Sequence, residues 1–589
     1  MRVLLTTLNS KYIHSSLALR CLKAYCSPAC EDIKIKEYTI NNTLLDILAD
    51  VYKEKPDVIG LACYIWNFDM TMQLANLIKK VIPGIKVILG GPEVSYNPEE
   101  IMKEFQYVDF IIQGEGEETL RLLLAALYKA TSLSDITGLA RREGDNVLAA
   151  SCPQVVKTLD NIPFAYNDND MDELKDRIVY YESSRGCPFS CQYCLSSATK
   201  GVRFYSLERV YKDLQFFIRH NVRQVKFVDR TFNANKNYYL PIIEYLAAQD
   251  CQTNFHFEIA ADILDEDVLS VLRNAPKGRF QFEVGVQSTY PLTLKEIERV
   301  NDWPKIVKNV SQILSYKNTH VHLDLIVGLP FEGLERFGQS FNDVFQIQPD
   351  MLQIGFLKLL KGSGVRRRAN EHGYVYMDNA PYEVLGNKYI SYSEVRELKM
   401  LENVFEQVYN SGRFRITLPY LIKAAGGNAF QFFRHLTAYW EEEGLHMTAH
   451  STKSVFKYLL EFCRCYFPNY FANCSDLLKF DSLMIEKGNM RPEMLPWNEN
   501  KWSEEKSQFW RSEAIVRKYI PNYCFTTWRD LKRNYSIEVF ETELPDYLDF
   551  ETSEGNLTPV LFYYNKSAVE YQQIASEDFW IVGGCSNAL

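Results

Sequence analysis

Three thiols fall within eight residues in Cys187-Pro188-Phe189-Ser190-Cys191-Gln192-Tyr193-Cys194, which follows Ser184-Arg185-Gly186 and a strand-like run from Ile178 to Ser183. A loop that leaves a strand can curl such side chains around one metal centre. A ferredoxin-type four-iron cluster takes four thiolates, one per iron, so three leave one iron without a protein ligand. An open position is what a catalytic metal site keeps and a structural one closes. Structural zinc would want a further Cys or His at a matching spacing, and Cys251 and His256, nearest downstream, form no second ligand pair. A disulfide framework suits a short secreted chain, and this one has 589 residues.

The spacing C-x3-C-x2-C, with an aromatic residue before the last Cys, resembles the signature of the radical S-adenosylmethionine (radical SAM) enzymes. The resemblance implies a 4Fe-4S cluster on Cys187, Cys191 and Cys194 and an open iron that binds the methionyl amine and carboxylate of S-adenosyl-L-methionine. It also implies reductive cleavage of a carbon-sulfur bond to a 5'-deoxyadenosyl radical.

The elements upstream alternate in type. Val3–Leu8, Ile33–Tyr38, Val58–Cys63, Lys86–Leu89 and Val108–Ile112 are short β-rich runs, separated by helix-length segments such as Ser16–Tyr25, Thr43–Lys53 and Met70–Val81. Such alternation predicts a doubly wound parallel sheet that binds ligands at the carboxyl ends of its strands. The loops at those ends are Asn9–Ser16 with Tyr12, then Tyr64-Ile65-Trp66-Asn67, Gly90-Gly91-Pro92-Glu93 and Gln113-Gly114-Glu115-Gly116-Glu117. Glycines let backbone approach a ligand closely, and Tyr and Trp offer flat surface to a large ring. Any one of these glycines would ordinarily be a turn residue. Four such loops on one edge point to a binding site.

The Gly90–Glu93 and Gln113–Glu117 runs, placed upstream of the cysteines, look like the cobalamin-binding domain of one large radical SAM class. The resemblance implies cobalamin at Tyr12, Tyr64, Trp66, Asn67, Gly90, Gly91, Glu93, Gly114, Glu115 and Gly116. Many cobalamin domains carry D-x-H-x-x-G, whose His ligates cobalt. Here His14 has Tyr12 two residues before it and Leu17 three after. A ligating His is normally held by a second-shell acceptor, commonly a carboxylate. His14 is therefore expected to be a loop or helix-start residue, with cobalamin bound without a protein His on cobalt.

From Ile178 onward the alternation resumes, with strands expected at Ile178–Ser183, Gln224–Val228, Thr253–Ile259, Phe280–Val286, His320–Val327 and Met351–Leu357. Six β/α units predict a partial, open barrel with reactive groups at the carboxyl ends of its strands. The resemblance implies S-adenosylmethionine contacts from Tyr193, Asp229, Glu283, Gln287 and Ser288. The chain reads Val228-Asp229-Arg230 where the family commonly has G-G-E. For Glu258 and Asp262, a salt-bridge role stands beside a ligand role.

The expected organisation is a cobalamin-binding Rossmann-like domain over 1–140, a linker over 141–177 containing the isolated Cys152, a radical SAM partial barrel over 178–365, and a mainly α-helical accessory domain over 366–589. In the last, helices are expected at Ser393–Tyr409 and Thr452–Tyr466 and strands at Ser536–Glu541 and Pro559–Tyr564, with Cys463, Cys465, Cys474 and Cys524 as core thiols. The task expected of this part is a lid over the barrel that keeps a radical from water.

Hydrophobic residues at 47% and charged residues at 24% indicate a folded globular chain. A net charge of -10 argues against nucleic acid as a partner. The first residues read as a strand rather than a signal peptide. No run approaches the ~20 apolar residues of a membrane span, and without an export signal the 14 cysteines are expected reduced in a cytoplasm. The reading is a cobalamin-dependent radical SAM enzyme that methylates an unactivated carbon of a small molecule or peptide, fed by an electron donor such as flavodoxin or ferredoxin. Rearrangement or ring contraction without methylation, and a cobalamin-binding sensor or carrier with a structural cluster, are the alternatives.

Overall fold

β1 (Val3–Asn9) is buried at all seven of its residues, as a parallel strand covered on both faces must be. The computed structural model describes residues 1–144, 146–149, 154–198, 201–485, 491–498, 501–521, 523–524, 527–548, 550, 557–565 and 569–580; Cys152 lies outside them. β2 (Ile33–Thr39), β3 (Val58–Ala62), β4 (Lys86–Gly90) and β5 (Phe110–Ile112) join β1 in one sheet of order 2-1-3-4-5, every contact parallel. Helices α1 (Leu17–Cys26), α2 (Leu44–Glu54), α3 (Phe68–Val81), α4 (Pro98–Glu104) and α5 (Gly116–Lys129) make the crossovers. Ser16 and Thr43 cap α1 and α2 by accepting backbone N–H bonds. Strand order reverses between β1 and β3, so the loops after these two strands flank the crevice where such sheets bind ligands.

The sheet runs past residue 140. β6 (Leu139–Glu143) adds antiparallel to β5, and β7 (Asn146–Leu148) adds antiparallel to β6. β6 carries Arg141, Arg142 and Glu143, which mask it in a sequence read for apolar runs, and the three-residue β7 is the edge. The polar run Asn167–Asp170, expected as irregular linker, begins a helix at Asp168–Glu173. There Asn167 and Asp170 form a reciprocal capping box.

β8 (Val179–Tyr181) is followed by the hairpin of β9 (Ser184–Cys187) and β10 (Gly201–Phe204). β11 (Gln224–Phe227), β12 (Asn254–Ile259), β13 (Phe280–Gln287), β14 (His320–Val327) and β15 (Met351–Phe356) continue from β8 as a parallel sheet in strict sequence order. β8 and β15 are its two unclosed edges, which makes it the expected partial barrel. A small antiparallel pair, β16 (Val375–Tyr376) and β17 (Val384–Gly386), follows.

The chain divides into two compact units, Met1–Val395 and Arg396–Leu589, so both sheets above belong to the first. The second holds helices at Thr417–Ala424, Ala429–Glu442, Thr452–Tyr466 and Phe471–Ile485 and an antiparallel sheet of β18 (Tyr535–Phe540), β19 (Thr558–Tyr564) and β20 (Val569–Gln573). Cys463 and Cys474 are buried in it, whereas Cys465 and Cys524 are exposed rather than in its core. No described helix is long and apolar enough to cross a membrane.

Candidate functional site

The cysteine loop is held from both ends. Buried Asp229, at the end of β11, accepts from Ser183 N (3.0 Å), Ser183 Oγ (2.6 Å) and Ser184 Oγ (2.5 Å), which fixes the turn from β8 into the hairpin. Gly186 has φ +103°, and a side chain there would run into the carbonyl of Gly201 across the hairpin. Beyond Cys187 the loop is pinned by Gln192 N to Ile297 O and Val365 N to Gln192 O, both 2.9 Å.

This brings Cys187, Cys191 and Cys194 to the wall of one cavity of about 170 Å³ at the carboxyl ends of the barrel strands. Tyr193, Glu283 and Gln287 share that wall, together with Glu258 and Arg299. Asp229 and Ser288, also expected at S-adenosylmethionine, do not line it. Asp229 is spent on the hairpin, and Ser288 is buried and donates to Glu332 Oε1 at 2.9 Å. Asp262 is likewise outside the wall and accepts from Asp302 N at 3.1 Å. Gln287 sits at φ +70° on a bulge in β13, with Oε1 buried and unpaired. Strained backbone and an orphan acceptor on one cavity-lining residue suit a ligand contact. Among the described residues no three His, Cys, Asp or Glu side chains gather around a single metal ion. The thiolates of a four-iron cluster attach to separate irons and need no such convergence.

The cavity wall and the barrel interior next to it are charged, with Glu258, Glu283 and Asp324 on the wall itself. Lys226 Nζ lies 3.0 Å and His256 Nε2 3.2 Å from Glu283 Oε2, and His322 Nε2 lies 2.9 Å from Asp324 Oδ1. Burial works against the Glu283 charge, but His256 and the Lys226 ammonium outweigh it and hold the carboxyl down to about 2. Glu258, opposite Glu283 in the strand register, has no such cation in contact. Burial, then the Glu283 charge, push it up to about 7.

The glycine-edged loops of the first sheet have two functions. Nothing lies within 4 Å of the point a Gly90 Cβ would occupy, so its missing side chain leaves open space at the end of β4. Gly91 has φ +106°, and its Cβ would fall 2.5 Å from Cys63 O, so it is glycine for the turn itself. Tyr64 and Trp66 stack at 4.5 Å with rings nearly parallel, and Trp66 remains half exposed as an aromatic platform. Tyr12 is exposed, with the Arg177 guanidinium 4.4 Å from its ring centroid.

The polar residues expected at the corrin also have partners within the protein. Buried Asn67 donates to Leu8 O (3.0 Å) and Ala62 O (3.1 Å) and accepts from Tyr64 N (2.8 Å), bracing the crevice between β1 and β3. Glu93 pairs with Lys361 Nζ at 2.9 Å and accepts from the Tyr382 hydroxyl. Glu115 pairs with Arg203 and with Arg185 (3.3 Å) and accepts from Val156 N (2.6 Å). Although burial opposes its charge, Arg203 and that N–H hold its carboxyl below the usual range. Glu117 pairs with Arg185 at 2.6 Å. Each of these carboxylates ties the first sheet to the cysteine hairpin or to the end of the barrel. Gly114 lies in the loop before α5 at φ +76°, and Gly116 is the first residue of that helix.

Three matches with known families follow this layout: residues 3–124 match the B12 binding domain, 181–344 the radical SAM superfamily, and 370–562 a protein family of unknown function, DUF4080. The chain is 28% identical over 317 residues to a 2-(S-pantetheinyl)-carbapenam-3-carboxylate methyltransferase of Streptantibioticus cattleyicolor, covering 49% of this chain and 45% of that protein. It is 28% identical over 323 residues to the cobalamin-dependent radical SAM methyltransferase TokK of Streptomyces tokunonensis, covering 50% and 45%. The chain thus spans less than half the length of these two curated relatives. Its fold is similar to that of the cobalamin-dependent S-adenosylmethionine radical enzyme OxsB with aqua-cobalamin bound, at a TM-score of 0.58 and 15% identity over 82% of this chain and 79% of that one. The chain therefore carries, in order, a B12 binding domain, a radical SAM domain and a region of the DUF4080 family.

Proposed function

We propose that this protein is a cobalamin-dependent radical SAM enzyme that methylates an unactivated carbon of a small-molecule or peptide substrate, with a low-potential protein as electron donor. The observation that carries the proposal is the three-cysteine cavity, to which the glycine-edged loops of the B12 binding domain are tied through Glu93–Lys361 and Glu115–Arg185. When bound, the cluster, S-adenosylmethionine and cobalamin supply reductive cleavage of a sulfonium carbon-sulfur bond, hydrogen abstraction and methyl delivery to carbon. Cys187, Cys191 and Cys194 would hold the cluster, leaving its fourth iron open. Tyr193, Glu283 and Gln287 line the space beside it, where an adenosyl group would lie. Gly90, Trp66 and Tyr64 would meet the corrin, the first by absence of a side chain and the other two by their stacked rings.

The test is anaerobic reconstitution of the full chain with iron, sulfide and cobalamin, followed by reduction with S-adenosylmethionine and a substrate pool. The expected result is roughly four irons per chain, 5'-deoxyadenosine, and a one-carbon mass gain in one substrate. Cys187→Ala, Cys191→Ala and Cys194→Ala should each lose the iron-sulfur absorbance and cleavage together. A full iron complement in any of the three would refute the ligand assignment. Deoxyadenosine without a methylated product would leave radical chemistry standing and overturn methylation.

A further inference from the structure

Arg299 lies in the loop between the helix Pro291–Glu296 and the helix Trp303–Ser315, away from any strand end. Its guanidinium nevertheless reaches the cysteine loop. Nη1 points at Cys191 Sγ (3.6 Å) and at the Tyr193 hydroxyl (3.2 Å), while Nη2 donates to the Gly285 carbonyl on β13. The backbone supports the reach: Arg299 N donates to Leu294 O at 2.9 Å, and Ile297 O two residues earlier accepts from Gln192 N. One permanently charged, planar group thus joins the cysteine loop to the fourth barrel strand.

Cys191 is the most buried of the three thiols, at 6% exposure, whereas Cys187 and Cys194 are half-buried. Water can donate to the sulfurs of the latter two more readily than to Cys191. Hydrogen bonds to ligand sulfur are among the features that set an iron-sulfur reduction potential, because each electron added increases the negative charge that the donor meets. A fixed cationic donor on the most enclosed sulfur therefore favours the reduced state.

We infer that Arg299 is a positioning residue that raises the reduction potential of the cluster held by Cys187, Cys191 and Cys194, through its N–H bond to the Cys191 sulfur. The inference rests on the cluster assignment proposed above. No proton or bond changes hands at Arg299; the electron comes from an external one-electron reductant, and the guanidinium stays charged throughout.

The experiment compares full-length wild type, Arg299→Gln and Arg299→Lys, each reconstituted anaerobically and assayed for iron before use. Each is then poised without S-adenosylmethionine at a series of fixed potentials, and the paramagnetic reduced cluster is counted by electron paramagnetic resonance. Arg299→Gln is expected to keep its iron and to show a roughly tenfold lower ratio of reduced to oxidised cluster at a given potential. Arg299→Lys, which keeps the charge and a donor, should shift the same way by less. An unchanged ratio in Arg299→Gln with full iron would overturn the inference. Should Arg299→Gln fail to assemble, Arg299→Lys decides alone: an unchanged ratio, or loss of iron in both variants, makes Arg299 a structural tie only. Failure of the cluster assignment is distinguishable, because wild type itself would then show no four-iron signal.

Discussion

His14 Nδ1 lies 2.7 Å from the hydroxyl of Tyr180, so the loop after the first strand of the B12 binding domain is hydrogen-bonded to the first strand of the barrel. Ser15 Oγ to Ile178 O (2.8 Å) and Ile178 N to Ile13 O (2.9 Å) bracket the same contact. Burial, then Lys11 and Lys226, hold the imidazole below its usual pKa, which favours the neutral ring. A nitrogen engaged in this way serves as a tie between two sheets.

The first prediction rests on the missing D-x-H-x-x-G partners around His14. His14→Ala should still bind cobalamin, and the electron paramagnetic resonance signal of its Co(II) state should match wild type, without the triplet splitting that a coordinated nitrogen produces. The cost should be about 1 kcal/mol of stability for the lost hydrogen bond. Triplets in wild type that vanish in the variant would make His14 the cobalt ligand.

Two adjacent glycines should separate folding from binding. Gly91→Ala puts a Cβ 2.5 Å from Cys63 O at φ +106°, and should lower stability by about 1–3 kcal/mol with or without cobalamin. Gly90→Ala meets no protein atom within 4 Å, so its melting temperature should stay near wild type. Its methyl would instead enter the space proposed for the corrin, weakening cobalamin roughly tenfold. Equal cobalamin affinity in Gly90→Ala and wild type would move the corrin elsewhere.

Removing Glu115 should loosen the join between the two sheets. Glu115→Ala leaves Arg203, Arg185 and the Val156 N–H without their shared acceptor in a partly enclosed site, at an expected cost of about 2–3 kcal/mol. Chemical denaturation and limited proteolysis would read it. Glu118→Ala, whose carboxylate pairs with Arg121 one turn along the same helix, is the control and should cost under about 1 kcal/mol.

Glu258 makes stability pH-dependent in a stated direction. In the cofactor-free chain its carboxyl titrates near 7, against about 4.5 when unfolded. Below about 4.5 both states hold the proton and nothing changes. As pH rises toward 7 the unfolded state releases its proton while the folded state keeps it, so stability falls, by on the order of 3 kcal/mol in all. Glu258→Gln cannot lose a proton there. Its melting temperature relative to wild type should therefore climb between pH 5 and pH 8, and a flat difference would contradict the reading.

What the sequence determined by itself is local or periodic. Cys187, Cys191 and Cys194 are legible because eight consecutive residues carry the whole ligand set. Strands such as Val3–Asn9 and Val58–Ala62 are legible because short β-rich runs alternate with helix-length segments, and both are buried throughout. β6 and β7 are not, since a strand as charged as Leu139–Glu143 and one as short as Asn146–Leu148 read as loop. The tertiary structure alone decided which polar residues face the site and which hold it together. Asn67, Asp229, Glu93 and Glu115 have the residue types of ligand contacts and sit at strand ends, yet their partners are backbone groups or side chains contributed by other loops. Arg299 meets Cys191 across 108 residues of chain and Tyr382 meets Glu93 across 289. Neither pairing leaves a mark in local composition, because a charged side chain acquires its partner only when the packing of helices on strands brings distant loops together.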